Sequence, residues 1–315
     1  MGIVNLLMAS LIYRLAHLLV NGVITGFSRL GGSTTSLFQM VEKIDNEIGR
    51  NERLPDFVRA DRLKTDRLVA VDVGARDGLP KYFSEIADWI IPVMFEADVV
   101  EAQRLRIEFP QIEIFSTAVS DSPGFSELFI TRKPGCSSLR EPSGAMLSLM
   151  STSGPLERFE TEKIVTVECA PLSQILADAF SGIDLLKVDV QGTEFEVIQG
   201  LGSLRPFALN IETSTTEIYK SQRTLFELGS HLREKGYFPI QMMGYRDLPG
   251  THLHGPSRAA QVHGDVIFVP DNSRRGREII ERDPLKWIVS LWALGHLRLA
   301  LWQVEELKLA LSKFQ

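Results

Sequence analysis

The chain has 315 residues, 44% of them hydrophobic and 23% charged, with a formal net charge of −6. This is ordinary globular composition, with room for one large domain with extensions or two small ones. The negative balance argues against sequence-specific nucleic-acid binding, because the densest basic run is only SRRGR at 273–277, which reads as a solvated turn before the last helix.

Residues 1–60 read as an N-terminal helical extension. Residues 3–30 are strongly apolar, but Ser10, Arg14, His17, Asn21, Thr25 and Ser28 recur at spacings of three and four. They form one narrow polar stripe on a helix. Gly31-Gly-Ser33 separates it from a second helix that ends at Gly49. There is no basic start followed by a small-residue cleavage site, so a signal peptide is not expected. Arg14 and His17 sit mid-segment and argue against a spanning helix. The first helix is expected to pack on protein, with a helix lying in a membrane surface as the alternative. Cys136 and Cys169 match no zinc or redox spacing and read as free thiols of a reducing compartment. The chain is therefore expected to be cytoplasmic, with peripheral membrane contact as the alternative.

Residues 61–272 carry the fold signal. Buried-strand runs occur at 68–73 (LVAVDV), 91–96 (IPVMFE), 112–119 (IEIFSTAV), 183–189 (IDLLKVD) and 207–212 (FALNIE). Further strands are expected at 125–130, 164–169, 238–243 and 265–269. Helices are predicted over 79–89, from 97 through Glu108, over 193–199 and over 224–235, the last stopped by Gly236. The alternation predicts an α/β fold: a mostly parallel seven-stranded sheet with helices on both faces. Residues 131–163, rich in Ser, Gly and Pro, read either as a lid or as a mobile insertion. Residues 273–315 form a C-terminal extension, with one amphipathic helix predicted over 283–314. Its Leu294, Leu297, Leu301, Val304, Leu307, Leu311 and Phe314 make a continuous stripe, and Trp287, Ile288, Trp292 and Trp302 add a second apolar surface. Packing against residues 3–30, within or between subunits, is the leading expectation; it makes a homo-oligomer, and membrane-surface binding is the runner-up.

Three features carry chemistry. The first strand ends in DVGARDG (72–78), which is not G-x-G-x-x-G, so a nicotinamide oxidoreductase is disfavoured. Gly74 and Gly78 permit a tight turn and close ligand approach, and Asp72 is placed to meet an ammonium group. Glu96 ends the second strand beside that turn, where an acid can accept two hydrogen bonds from a ribose diol. In LLKVDVQGTEFE (185–196), Lys187 and Asp189 lie near the end of a central strand, where charge is costly unless paired or functional.

The stretches VDVGARDG (71–78), FEAD (95–98), TAVSDSPG (117–124), SSL (137–139), LLKVDVQGTEFEVIQG (185–200) and NIET (210–213) together resemble the FkbM family of methyltransferases, in the family's order. The resemblance covers most of residues 68–240. It implies a Rossmann-like methyltransferase sheet with an antiparallel last strand, S-adenosyl-L-methionine as cofactor, and O-methylation of a sugar, polyketide, lipid or similar small-molecule hydroxyl. It places Asp72, Gly74 and Gly78 at the methionine part of the cofactor, with Ala75, Arg76 and Asp77 in the same turn. Glu96 and Ala97 fall at the ribose, and Ala118, Val119 and Asp121 at the adenine. The chain departs from the family wording at Gln191, where Glu is usual, and at Arg76, where Asn or a similar residue is usual.

Methyl transfer to an aliphatic hydroxyl needs a proton acceptor. Asp189 and Glu212 fall at the ends of neighbouring predicted strands. They read as a base with its partner, as two oxygen ligands for a divalent cation, or as structural partners of Lys187. Glu194 opens a helix and reads as a capping acid or a substrate contact. Ser137 and Ser138 touch substrate if the loop closes. His252, His254 and His263 match no firm metal motif, and no metal site is expected. The competing function is a catalytically silent Rossmann-like module that assembles through its terminal helices; intact Asp72, Glu96 and Asp189 argue against it.

Overall fold

The computed structural model describes residue 54 and residues 60–144, 156–177, 179–248 and 260–306. In chain order the strands are β1 (Leu68–Val73), β2 (Ile90–Phe95), β3 (Glu113–Phe115), β4 (Ala118–Val119), β5 (Gly124–Thr131), β6 (Thr161–Ala170), β7 (Leu185–Val188), β8 (Ala208–Ser214), β9 (Tyr237–Leu248) and β10 (Ala260–Pro270). The helices are α1 (Lys81–Ser84), α2 (Val99–Glu108), α3 (Leu172–Ile175), α4 (Glu194–Gln199), α5 (Leu225–Glu234), α6 (Arg274–Arg282), α7 (Pro284–Ala293) and α8 (Leu297–Glu306).

The central sheet has seven strands in the order β3-β2-β1-β7-β8-β10-β9. Every neighbouring pair is parallel except those made by β10, which runs antiparallel to β8 and β9. This is the expected Rossmann-like arrangement, including the antiparallel last strand. The mostly apolar runs of β1 and β7 follow from burial on both faces.

Four expectations change. Residues 112–119 form two strands, and β4 leaves the central sheet to pair with β6 in a three-stranded sheet, β4-β6-β5. A change of hydrogen-bonding partner leaves no mark on apolar alternation. The helix predicted over 79–89 is only α1 and a 3-10 turn, Ala87–Trp89, because Ile86 leaves the helical region at φ −117°. The single helix predicted over 283–314 is α7 and α8, preceded by α6. Pro284 has no N–H with which to continue α6, yet it suits the first turn of α7, where Asp283 accepts from the N–H groups of Leu285 (3.1 Å) and Lys286 (3.2 Å). Gly295, at φ +82°, follows α7 and turns the chain. Ser273 caps α6, accepting from Gly276 N–H, so the SRRGR run begins a helix instead of a turn.

The apolar face of α7 is also not left for a partner. Leu285, Trp287, Ile288, Val289 and Leu291 are buried in the same core as Val71, Leu186 and Leu209 of the sheet. The expectations for residues 1–53, including the polar stripe and Gly31-Gly-Ser33, fall outside the described residues, as do Leu307, Leu311, Phe314, His252 and His254. Among the described residues, no helix is long and apolar enough to cross a membrane.

Candidate active site

Register sets the site. Val73 pairs with Phe95 of β2 and with Val188 of β7, so the three strands end on one line. Beyond that line the chain turns at Gly74, at φ +82°. A Cβ there would lie 1.8 Å from Asp189 O, so only glycine lets this turn pass beneath the end of β7. The N–H groups of Gly74 and Ala75 both donate to Phe95 O, at 2.9 and 3.0 Å, tying the turn to β2. Gly78, also at positive φ, donates to Ala75 O and closes the turn.

A cleft opens above this edge. Gly74, Arg76 and Asp77 line it from the β1 turn, Glu96 and Ala97 from the end of β2, and Ala118 and Val119 from β4. Ser137 and Ser138 face them from the segment after β5, and Asp189 and Gln191 from the end of β7. Glu96 is buried. Its Oε1 accepts from Asp98 N–H at 2.8 Å and lies 3.7 Å from the Arg76 guanidinium; Oε2 takes no hydrogen bond among the described residues. Burial raises the Glu96 pKa, opposed by the Asp98 N–H and by Arg76. Arg76 also meets Asp98 at 2.9 Å and Glu101 at 3.6 Å, so the residue that departs from the family wording holds together three acids beside the cleft.

Asp72 lies elsewhere. It is 1% exposed, does not line the cleft, and meets Lys187 Nζ at 3.1 Å. The two are direct cross-strand partners, and Asn210 is the next partner along, so Asp72, Lys187 and Asn210 sit side by side across three central strands. The ammonium expected opposite Asp72 is thus the chain's own. Burial raises Asp72 to about 6 despite the lysine. Burial opposes charge on Lys187 too, but Asp72 and Asp189 outweigh it and raise its pKa.

Asp189 and Glu212 do come together, through a residue that sequence reading marked only as a departure. Gln191 Nε2 donates to Asp189 Oδ1 at 2.7 Å and to Glu212 Oε2 at 2.8 Å. Glu212 Oε1 lies 3.0 Å from His263 Nδ1. The Tyr219 hydroxyl reaches Gln191 Oε1 at 3.0 Å and Cys136 O at 2.9 Å. Burial pushes Glu212 up to about 8; His263 opposes this and Asp189 reinforces it. Asp189 moves the other way: Glu212, Lys187 and Gln191 outweigh its burial and lower it. The two carboxyls therefore share one proton at neutral pH. Tyr219 lies in the polar loop after β8, where no periodicity marks it.

The remaining candidates divide. Ser137 Oγ accepts from Thr131 N–H and Ser138 Oγ from Arg140 N–H, which leaves each hydroxyl proton for a ligand. Ala75 and Gly78 support the turn without lining the cleft. Asp121 is exposed and accepts from Ser122 Oγ. Glu194 turns inward to accept from Gly192 N–H at 2.8 Å, and burial raises it to about 7. Both cysteines are free and buried. Among the described residues, no group of three or more His, Cys, Asp or Glu is arranged to hold a metal ion.

The family model described as the methyltransferase FkbM domain matches residues 72–239. Similar solved structures include magnesium protoporphyrin IX methyltransferase from Synechocystis PCC 6803 with bound SAM, at 12% identity and TM-score 0.34, covering 74% of this chain and 96% of that one. Another is the StiE O-MT segment, at 11% identity and TM-score 0.37, covering 84% of this chain and 80% of that one. A third is 1,6-didemethyltoxoflavin-N1-methyltransferase from Burkholderia thailandensis, at 12% identity and TM-score 0.30, covering 82% and 90%. No curated protein matches the chain.

Proposed function

The chain belongs to the FkbM methyltransferase family, and from that membership we propose that it transfers a methyl group to a hydroxyl oxygen of a sugar, polyketide, lipid or other small molecule. S-adenosylmethionine is the methyl donor and supplies a methyl group already activated on a sulfonium.

The cleft suits a nucleoside. Glu96 Oε2 is free to accept from a ribose diol, and Ala118, Val119, Leu128 and Leu139 offer apolar walls for a base. Gly74 and Asp77 lie toward the amino-acid end. Asp72 acts one layer below, holding Lys187 and so the strand tips.

The observation that carries the hydroxyl reading is the Asp189–Glu212 pair bridged by Gln191. An aliphatic hydroxyl must lose a proton as its oxygen attacks, and a poised carboxylate within reach can accept it. Asp189 lines the cleft, so it is the entry point for that proton. Glu212, the more basic member of the pair and backed by His263, already carries its proton at neutral pH and leaves Asp189 as the ionised acceptor. Proximity of the two reactants supplies much of the remaining rate.

Calorimetric titration with S-adenosylmethionine tests the donor half: Glu96→Ala should weaken binding by more than about tenfold, as expected for loss of charge-assisted hydrogen bonds. Unchanged affinity would remove Glu96 from the ribose. Transfer of labelled methyl to a panel of hydroxylated glycans and lipids tests the acceptor half. Asp189→Asn should abolish turnover while keeping donor affinity. Methylation of amines alone would overturn the oxygen assignment.

A further inference from the structure

We propose that a second ligand site, for a phosphate-bearing anion, lies at the edge of the sheet opposite the cleft. The end of α5, the start of α6 and the residues leading into β8 surround an open hollow of about 620 Å³, lined by Arg205, His231, Lys235, Arg275 and Arg282.

Two of the three guanidinium groups here, those of Arg205 and Arg275, are oriented by main-chain oxygens without an ion pair among the described residues. Arg205 Nη1 donates to the carbonyls of Gly202 and Leu204, both at 2.8 Å. Arg282 Nη1 donates to Arg205 O at 2.7 Å, and its guanidinium lies 4.2 Å over the Phe207 ring. Arg275 donates to the carbonyl of Glu234. Main-chain oxygens fix direction but leave the positive charge, and a planar fork held that way is preorganised for phosphate oxygens. Of the three, only Arg282 reaches a carboxylate, Asp184 at 3.3 Å, which also meets Lys286 at 3.5 Å.

Acids facing the hollow do not cancel this charge. Glu278 is engaged with Arg274 at 2.9 Å, which leaves Glu234, exposed at the rim. Lys235 has no ion pair among the described residues; burial, followed by the charges of Arg205 and Arg275, lowers its pKa, and Glu234 opposes them without reversing the shift. His231 Nε2 is buried without a partner, and burial followed by Lys235 lowers this pKa as well, keeping the ring neutral at pH 7. A bound phosphate would supply the missing negative charge and accept from Lys235 and Arg275.

Helix capping accounts for only part of the cluster. His231 and Arg233 suit the last turn of α5, whose partial charge is negative. Arg274 and Arg275 open α6, where the partial charge is positive, and no acid stands in that turn. The SRRGR run thus places cations where helix electrostatics disfavours them and where the hollow gathers more.

The ligand is either a soluble phosphorylated molecule or a lipid headgroup. The test titrates the full chain calorimetrically with inorganic pyrophosphate, and floats it with phosphatidylcholine vesicles with and without phosphatidic acid. Lys235→Glu and Arg275→Glu are compared, with thermal unfolding and S-adenosylmethionine affinity as controls for folding. We expect saturable pyrophosphate binding that weakens with salt and falls by at least about tenfold in either variant, with donor affinity unchanged. Pyrophosphate binding without flotation identifies a soluble ligand. Flotation that needs phosphatidic acid, Lys235 and Arg275 identifies a headgroup. Binding of neither probe by the folded chain, or binding that survives both charge reversals, overturns the site.

Discussion

Gln191 sits at φ +56°, in the left-handed region that costs a non-glycine residue about 1 kcal/mol. That conformation aims its amide between two carboxylates, and the amide lets Asp189 and Glu212 stay close with one proton between them. Gln191→Glu would put a third carboxyl in the same place. In a ¹³C NMR titration of labelled Glu side chains, the variant should hold the Glu212 proton to a pH above its value of about 8. An unmoved midpoint would mean that the amide does not set the pair. Glu194 gives a separate stability test. Its folded-state pKa of about 7 exceeds the ordinary carboxyl value, so the folded state binds the proton more tightly. Its contribution is fully present below the unfolded value and is lost as pH rises through about 7. Glu194→Gln should therefore flatten that part of the fall in Tm with rising pH; an identical profile would exclude it. At Gly74, alanine would drive Cβ into Asp189 O, so Gly74→Ala should lower stability by more than about 2 kcal/mol in urea unfolding and abolish donor binding. At this scale the glycine turn and Glu96 were legible because backbone freedom and strand-end acids are local signals. The partner of Asp72 was not, because it depends on which strand lies beside β1. Nor was the role of Gln191, which depends on φ at a single residue.

Helix α7 is where packing most clearly overrides local reading. The apolar surface of Trp287 and Ile288 was visible, but what it covers was not: it closes the core of the central sheet. Trp287 is fully buried there, and Trp287→Ala should cost about 3–5 kcal/mol by removing a large core side chain, measured by chemical denaturation. A cost below about 1 kcal/mol would mean that the helix is a loosely docked appendage. The punctuation at Gly295 was present in the sequence, but apolar residues on both sides of it read as one helix. The strands were read well wherever burial on both faces makes the run mostly apolar, as in β1 and β7. Their edges and the excursion of β4 were not, since pairing registers little in side-chain chemistry.

Taken whole, the sheet and the helices that follow it share one hydrophobic interior. Removing residues 283–315 should therefore leave no cooperatively folded remainder; a truncated chain with a single sharp unfolding transition would contradict this. The parallel strands also give the molecule a polarity. The candidate cleft occupies the carboxyl tips of β1, β2 and β7, while the cationic hollow gathers where β9 begins and β10 ends. A six-residue strand such as β1 spans about 20 Å, so the two sites lie at opposite ends of the strands with the sheet as a stiff spacer. Whatever grips the basic end leaves the other free, and a molecule standing on an anionic support would hold its methylating mouth out toward solvent.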